Sequence, residues 1–286
     1  MLRRVISSVV FHSRRLWITI LRLPHQIINS PYLFGDRYIL EDNTQVTLYT
    51  DHPDLLPKYS PIKALRSIEK KQKVAVSLIA TTCNEKDSLT SFFASVLGQT
   101  RLPDEIVVVD AGSRDGTGDL LMELSANSPV PMKVFIEPGA NISRGRNVAI
   151  SHTRFPIIAA VDFGCRIKSD WLENLIVPFE ADPQTEVVAG WYEAIDHNGQ
   201  LVFRRGWVSL PLLNPKTFLP SSRSLAFSKT VWEKVGGYPE WLTLTGEDTY
   251  FDLELKRSTR HWAFVPEAVV QWNAPPTLWA YWKKTL

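Results

Sequence analysis

Four places along the chain group residues able to act on a phosphorylated substrate. Thr81-Thr82-Cys83-Asn84-Glu85, Asp110-Ala111-Gly112-Ser113-Arg114-Asp115-Gly116-Thr117 and Asp162-Phe163-Gly164 each follow an apolar run, and Gly246-Glu247-Asp248 opens another segment. A single acid at such a place is an ordinary turn or cap residue. Polar or acidic groups at three strand ends, however, line one rim, which is the geometry of a nucleotide site. No G-x-G-x-x-G follows the first run, which disfavours dinucleotide binding, and no G-x-x-x-x-G-K-[ST] is present, so a P-loop is absent. Acids at a helix N-terminus also suit the helix dipole, so capping competes with catalysis for Glu247 and Asp248. The two cysteines, Cys83 and Cys165, cannot form a disulfide framework, and without a C-x-x-C pair a zinc ribbon is excluded.

The elements that must position these groups are legible in the apolar pattern. VAVSLIATT, EIVVVD (105–110), MKVFIE (132–137) and IIAAVD (157–162) are nearly continuous apolar or β-branched runs. Strands apolar on both faces are parallel strands covered by helices. Leu89, Phe92, Phe93, Val96 and Leu97 follow helical spacing up to Gly98, Leu120, Leu121 and Leu124 mark a second helix, and Val148–His152 belongs to a third. Strands alternating with helices predict an α/β fold with ligands at the strands' carboxyl ends. Further on, Ser228 precedes a short helix through Val231, Trp232 and Val235, which Gly236-Gly237-Tyr238-Pro239 stops. Gly246-Glu247-Asp248 then opens a helix with Tyr250, Phe251 and Leu255 expected on its apolar side.

Taken in order, VSLIATTCNE, EIVVVDAGSRDGT, RGRNVAI, AAVDFGC and GEDTYFDLEL resemble the landmarks of family-2 glycosyltransferases with the GT-A fold, over about residues 74–272. The resemblance implies a mostly parallel central sheet flanked by helices, with a nucleotide-sugar half at about 73–165 and an acceptor half at about 166–286. It implies that Thr81, Asn84 and Glu85 line the nucleoside pocket and that Asp110 is the first acid of the family's D-D/G-G-S turn. Asp162 corresponds to the first acid of the D-x-D motif, which holds the donor diphosphate and a divalent metal, Mg²⁺ or Mn²⁺. Arg146 and Asn147, with Arg144, help hold the donor. Glu247 and Asp248 match the family's E-D pair, whose Asp is commonly the catalytic base. Ser222 and Arg223, in the polar stretch Ser221–Ser224, are expected on the acceptor side.

Three departures from that pattern matter. Ala111 replaces a second acid that reads the base, Cys83 replaces a stacking aromatic, and Gly164 replaces the second acid of D-x-D. Asp162-Phe163-Gly164-Cys165 is similar to an Asp-x-Gly-Cys version found in a membrane-associated subset. Mg²⁺ often binds through one or two carboxylates plus substrate phosphates and water, so one Asp with a diphosphate is adequate for it. Cys165 is too soft for Mg²⁺ or Mn²⁺ and reads as a small buried residue. Arg144 and Arg146 supply part of the missing positive charge, and Gly139 and Gly145 allow a tight phosphate-facing loop.

The resemblance therefore implies inverting transfer of a sugar from a nucleotide-diphosphate sugar to a hydroxyl of a glycan, lipid-linked or polysaccharide acceptor. Two rivals stand beside it. A nucleotidyltransferase on a similar fold would favour a glycine- and lysine-rich loop after the first strand, and TTCNEKDS is not one. A non-catalytic membrane-associated scaffold would have no need for Asp110, Asp162 and Asp248 together.

Composition sets the outer bounds. The chain has 286 residues, 44% hydrophobic and 22% charged, with a net charge of +2, so it is globular rather than disordered, and too weakly basic for a typical nucleic-acid binder. The basic character sits in residues 1–35, where Arg3, Arg4, Arg14, Arg15 and Arg22 meet no acid. Arg4, Ser8, Arg15, Thr19 and Arg22 share one helical face, and Ile6, Val9, Val10, Trp17, Ile20 and Leu21 lie opposite. Such an amphipathic helix, ending before Pro24, suits either an anionic membrane interface or the protein's own core. No apolar run reaches the ~18–20 residues of a spanning helix, and no signal-peptide cleavage site follows. Residues 1–72 are thus expected as arm and connector, and 73–286 as the transferase domain, cytoplasmic and peripheral on a membrane's inner face. Trp272, Trp279, Trp282, Lys283 and Lys284 near the end suit either a membrane surface or a hydrophobic cap on the sheet.

Overall fold

A computed structural model describes residues 37–39, 45–48, 72–196, 198–204, 219–243 and 245–273. The amphipathic arm and Trp279, Trp282, Lys283 and Lys284 lie outside the described residues. The described strands are β1 (Arg37–Ile39), β2 (Gln45–Leu48), β3 (Val76–Thr82), β4 (Glu105–Asp110), β5 (Met132–Ile136), β6 (Ile157–Ala160), β7 (Cys165–Ile167), β8 (Val187–Ile195), β9 (Leu201–Arg204), β10 (Leu225–Ser228) and β11 (His261–Asn273). The described helices, numbered in chain order, are α1 (Lys86–Leu97), α2 (Thr117–Ala126), α3 (Ile142–Ser151), α4 (Trp171–Ala181), α5 (Lys229–Val235) and α6 (Glu247–Ser258).

The strands form one sheet in the order β1-β2-β11-β8-β10-β6-β3-β4-β5, with β7 on β11 and β9 on β8. β6, β3, β4 and β5 are mutually parallel, as their apolar runs predict. β10 is inserted antiparallel between β6 and β8, and β11 runs parallel to β8. The chain lays β4 and β5 on one side of β3 and then returns to place β6 on the other. That reversal opens a crevice at the carboxyl ends of β3 and β6, where an α/β sheet takes its ligand. β1 and β2 precede the expected boundary at residue 73, yet β2 pairs with β11, so they extend the same sheet.

Alternation along the central strands explains why they are apolar throughout. Leu78, Ala80, Ile106, Val108, Ala159 and Val161 share one cluster with Phe92, Leu121, Trp171 and Leu175 of α1, α2 and α4. Ile79, Val107, Val109, Ile158 and Ala160 share the other with Ala149, Ile150, Val231, Phe251 and Leu255 of α3, α5 and α6. Both faces are covered, and each fully buried Leu, Ile or Phe contributes about 1.5–3 kcal/mol. Two expectations need correcting. β5 is an edge strand, half-buried and ending in an exposed Ile136, because only β4 flanks it. Tyr250 is exposed beside Trp241 rather than on the apolar side of α6, which Phe251 and Leu255 fill.

The segment before β10 is held to the sheet by close backbone approach. A Cβ on Gly190 of β8 would lie 2.5 Å from Ala268 O and closer still to Ser224 Oγ, so only glycine admits these neighbours. Ser224 Oγ donates to Ala268 O (2.8 Å) and accepts from Trp171 Nε1 (2.8 Å), while Gly190 N donates to Ser224 O (2.9 Å). The segment bearing Ser222 and Arg223 is thereby fixed against β8 and β11.

A candidate active site at the ends of the parallel strands

The loops leaving β3 and β4 are stitched together. Asn84 sits in the left-handed region at φ 54, a conformation asparagine tolerates well. Its N–H donates to Ser113 Oγ (2.7 Å), and its Oδ1 accepts from Arg114 N (2.9 Å). Glu85 N donates to Thr117 Oγ1 (3.0 Å), and the Glu85 carboxylate accepts from Ser88 Oγ (3.0 Å). Asp110 is buried and accepts from Ser113 N (3.2 Å) and from Ser113 Oγ. Asn84 and Glu85, expected around the nucleoside, and Asp110, expected as the first acid of the family's turn, therefore stand on one rim and also shape it. Partial burial and the carboxylates of Asp110, Asp115 and Glu85 push the exposed Cys83 thiol up, which disfavours the nucleophilic thiolate.

The centre of the site is Arg146 on α3. Asn141 caps that helix, accepting from Arg144 N (2.8 Å). Gly145 lets the helix close on β3: a Cβ there would stand 2.8 Å from Thr81 Cγ2. The next residue, Arg146, is consequently buried, and its guanidinium bridges two distant elements. Nη2 donates to Asp162 Oδ1 (2.7 Å) just past β6, and Nη1 donates to Glu247 Oε1 (3.1 Å) at the start of α6. The guanidinium lies 5.0 Å from the Tyr238 ring, which stacks on Phe251 at 3.8 Å. Burial alone would weaken the arginine's hold on its proton; Asp162, Tyr238 and Glu247 reverse that and raise its pKa. Burial alone would likewise raise Asp162, but Arg146 and Arg223 hold its carboxyl below its ordinary value.

The other candidate residues make the following contacts. The amide of Asn147, a donor-side candidate, is bonded to the protein through both its atoms. Oδ1 accepts from Trp232 Nε1 (3.0 Å) and Tyr238 N (2.8 Å), and Nδ2 donates to Tyr238 O (2.9 Å) and Glu240 Oε1 (2.9 Å). It positions the Tyr238 loop. Arg144 is half-exposed and paired with Glu137 (2.9 Å) and Glu240 (3.5 Å), so its charge is already matched. Ser222, an acceptor-side candidate, is fully buried and shares a hydrogen bond with Tyr238 Oη (2.9 Å). Arg223, also an acceptor-side candidate, has Nε 3.8 Å from Oδ2 of Asp162, the candidate donor residue. Its guanidinium lies 5.1 Å from the rings of both Tyr192 and Trp272. Trp272 thus serves the site and the sheet together. Tyr238, Tyr192 and Trp272 were not anticipated as site residues; no local spacing signals a ring that supports an arginine distant in sequence.

The residues around Asp162 do not make a protein-held metal centre. Gly164 contributes no ligand at the second D-x-D position, Cys165 is buried and soft, and Asp162 faces a guanidinium with each oxygen. Among the described residues no group of three His, Cys, Asp or Glu could hold a metal ion. Asp248 lies on the first turn of α6, half-buried, with Oδ1 accepting from Thr249 N (2.8 Å).

Comparison with known proteins accords with this arrangement. The chain is 26% identical over 212 residues to the O-antigen chain rhamnosyltransferase RfbN of Salmonella typhimurium, covering 68% of this chain and 65% of that protein. It is 30% identical over 102 residues to the putative teichuronic acid biosynthesis glycosyltransferase TuaG of Bacillus subtilis, covering 36% of this chain and 40% of that protein. It therefore spans less than two thirds of either relative. Among solved structures, the mannosyltransferase PcManGT from Pyrobaculum calidifontis in complex with GDP-Man and Mn²⁺ superposes with a TM-score of 0.59 at 18% identity, covering 77% of this chain and 65% of that one. Residues 1–349 of S. aureus TarS in complex with UDP superpose with a TM-score of 0.58 at 19% identity, covering 73% of this chain and 63% of that one. These neighbours share the fold, and the expected GT-A architecture holds. The sequence profile of glycosyl transferase family 2 matches residues 77–231, more than half of the chain, and the chain belongs to that family.

Proposed function

We propose that the protein transfers a sugar, with inversion, from a nucleotide-diphosphate sugar to an acceptor hydroxyl on a glycan, lipid-linked or polysaccharide acceptor. The observation that carries this reading is Arg146, buried between Asp162 and Glu247. It joins the strand end expected at the donor to the helix turn that bears the candidate base. The names of the related proteins, a rhamnosyltransferase and a teichuronic acid glycosyltransferase, support the same reaction class. They count against the nucleotidyltransferase alternative.

In this mechanism Asp248 accepts the proton of the acceptor hydroxyl as that oxygen attacks the anomeric carbon. The bond from the anomeric carbon to the diphosphate oxygen breaks with its electron pair leaving on the diphosphate. Arg146, already held in place, stabilises the charge that develops there. One displacement inverts the anomeric centre, so no covalent intermediate and no second nucleophilic carboxylate are required. The divalent ion of the sequence reading takes no step here, since Asp162 is the only motif carboxylate and is already paired with arginine.

The arm at 1–24 would seat the enzyme on an anionic membrane, on the cytoplasmic face where a lipid-linked acceptor is presented. Five arginines would make that binding weaken with salt, and deletion of 1–24 should abolish it in a vesicle co-sedimentation assay. No helix among the described residues is long and apolar enough to cross a membrane. The reaction itself is tested by incubating the protein with a panel of nucleotide sugars and following thermal shift and nucleoside-diphosphate release. At least one donor should raise the melting temperature and be turned over. A panel without a single shift or product would overturn the reading.

A further inference from the structure

Arg223 is placed for a task that the transfer mechanism above leaves unassigned. Its guanidinium is supported by Tyr192 and Trp272, with each ring centroid 5.1 Å away. The segment that carries it is locked by Ser224 to β11 and to Trp171. The orientation is therefore set before any ligand arrives. Nevertheless its donors are little used. Nη1 donates to Ser221 Oγ over a long 3.4 Å, and Nε is buried without a hydrogen-bond partner. A buried donor left unmade is costly, and a bound ion or water that completes it is one way to offset that cost.

The loop just past Asp162 also leaves room. Gly164 sits at φ 78, and nothing lies within 4 Å of the position a Cβ would take. At the position of a second D-x-D carboxylate this chain thus has open space, two residues past the Asp162 that Arg146 and Arg223 border. Arg146, Arg223, Asp162 and Glu247 sum to zero charge. What the network offers an anion is therefore oriented N–H donors in a partly dry setting, and not bulk attraction. Planar guanidinium forks match pairs of phosphate oxygens.

We propose that Arg223, together with Arg146, binds the donor's diphosphate directly, and that this contact requires no divalent metal. It rests on the reading that the site takes a nucleotide-diphosphate sugar, and it moves Arg223 from the acceptor to the donor. Arg146 spans Asp162 and the phosphates, while Arg223 directs its unspent N–H groups at the diphosphate across the space that Gly164 leaves.

The test is calorimetric titration of the full chain with inorganic pyrophosphate, first in EDTA and then in excess Mn²⁺. Wild type should bind in EDTA, with Mn²⁺ changing Kd by less than about ten-fold. Arg223→Gln should weaken binding in EDTA by about ten-fold or more, and Arg223→Lys, which keeps the charge but not the fork, should recover part of the loss. Unfolding midpoints of the variants check that they are folded, and the wild-type EDTA titration stands even if a variant is not. Binding seen only with Mn²⁺, or Arg223→Gln equal to wild type in EDTA, overturns the proposal. Turnover of nucleotide sugars measured on the same samples separates the two readings. Active enzyme that binds pyrophosphate only through Mn²⁺ defeats this inference alone. Pyrophosphate binding without turnover of any nucleotide sugar defeats the transferase reading instead.

Discussion

Asp248 carries the sharpest residue-level consequence. Asp248→Asn keeps the side chain's size and its bond from Thr249 N but removes the base. Turnover should fall by roughly 10²–10⁴ while nucleotide affinity, measured by calorimetry, stays near wild type. Were Asp248 only a helix cap, asparagine would serve about as well and turnover would be preserved. A second consequence concerns pH. The folded pKa of Asp162 lies below its unfolded value, so its stabilisation is complete above about pH 4 and is lost as pH falls through the folded value. Arg146 is shifted upward by the same carboxylates, so it stays charged throughout and its share of the stabilisation is lost with theirs in acid. Urea unfolding should thus show this network's contribution level across neutral pH and declining only in acid, and Asp162→Asn should shrink that acid decline. An unchanged acid limb in Asp162→Asn would contradict the pairing. At this scale the residue types were legible and the partners were not. Asp162, Glu247 and Arg146 were each singled out, but Glu247 lies 101 residues from Arg146, and no local pattern encodes their contact.

At the scale of elements, α3 and the loop after α5 act as one unit through Asn147. Asn147→Ala would strand Trp232 Nε1 and Tyr238 N and release the loop that places Tyr238 beneath Arg146. Stability should drop by about 2–4 kcal/mol in urea unfolding, with weaker nucleotide binding as a consequence. Weaker binding with unchanged stability would instead return Asn147 to the donor pocket. Strands β3, β4 and β6 were legible because residues buried on both faces leave continuous apolar runs. The edge position of β5 was not, since its run looks the same and only its hydrogen-bond neighbours differ. Tyr250 was misplaced for a related reason: helical spacing assigns it near Phe251, but the adjoining surface is already filled by Tyr238 and Phe227, and Tyr250 turns out to Trp241.

The whole molecule is a sheet that brings together groups far apart in the chain. Asp162 follows β6 beside the crevice, and the turn that leads into the antiparallel β10 brings Arg223 back against it. Family membership was legible from the order of weak motifs. The sharing of Asp162 between two arginines was not, because it depends on which strands become neighbours. Short strands in the connector fit its sequence, but that β1 and β2 pair onto the sheet beyond β11 was not legible, because so short a segment carries no signal of its partner strand. The central claim, transfer in one displacement, is tested most directly by NMR of the product. The donor that the protein turns over is supplied with its acceptor, and the anomeric configuration of the new linkage is recorded before any equilibration. A single direct displacement predicts the configuration opposite to that of the donor. Retention of the donor's configuration would contradict it.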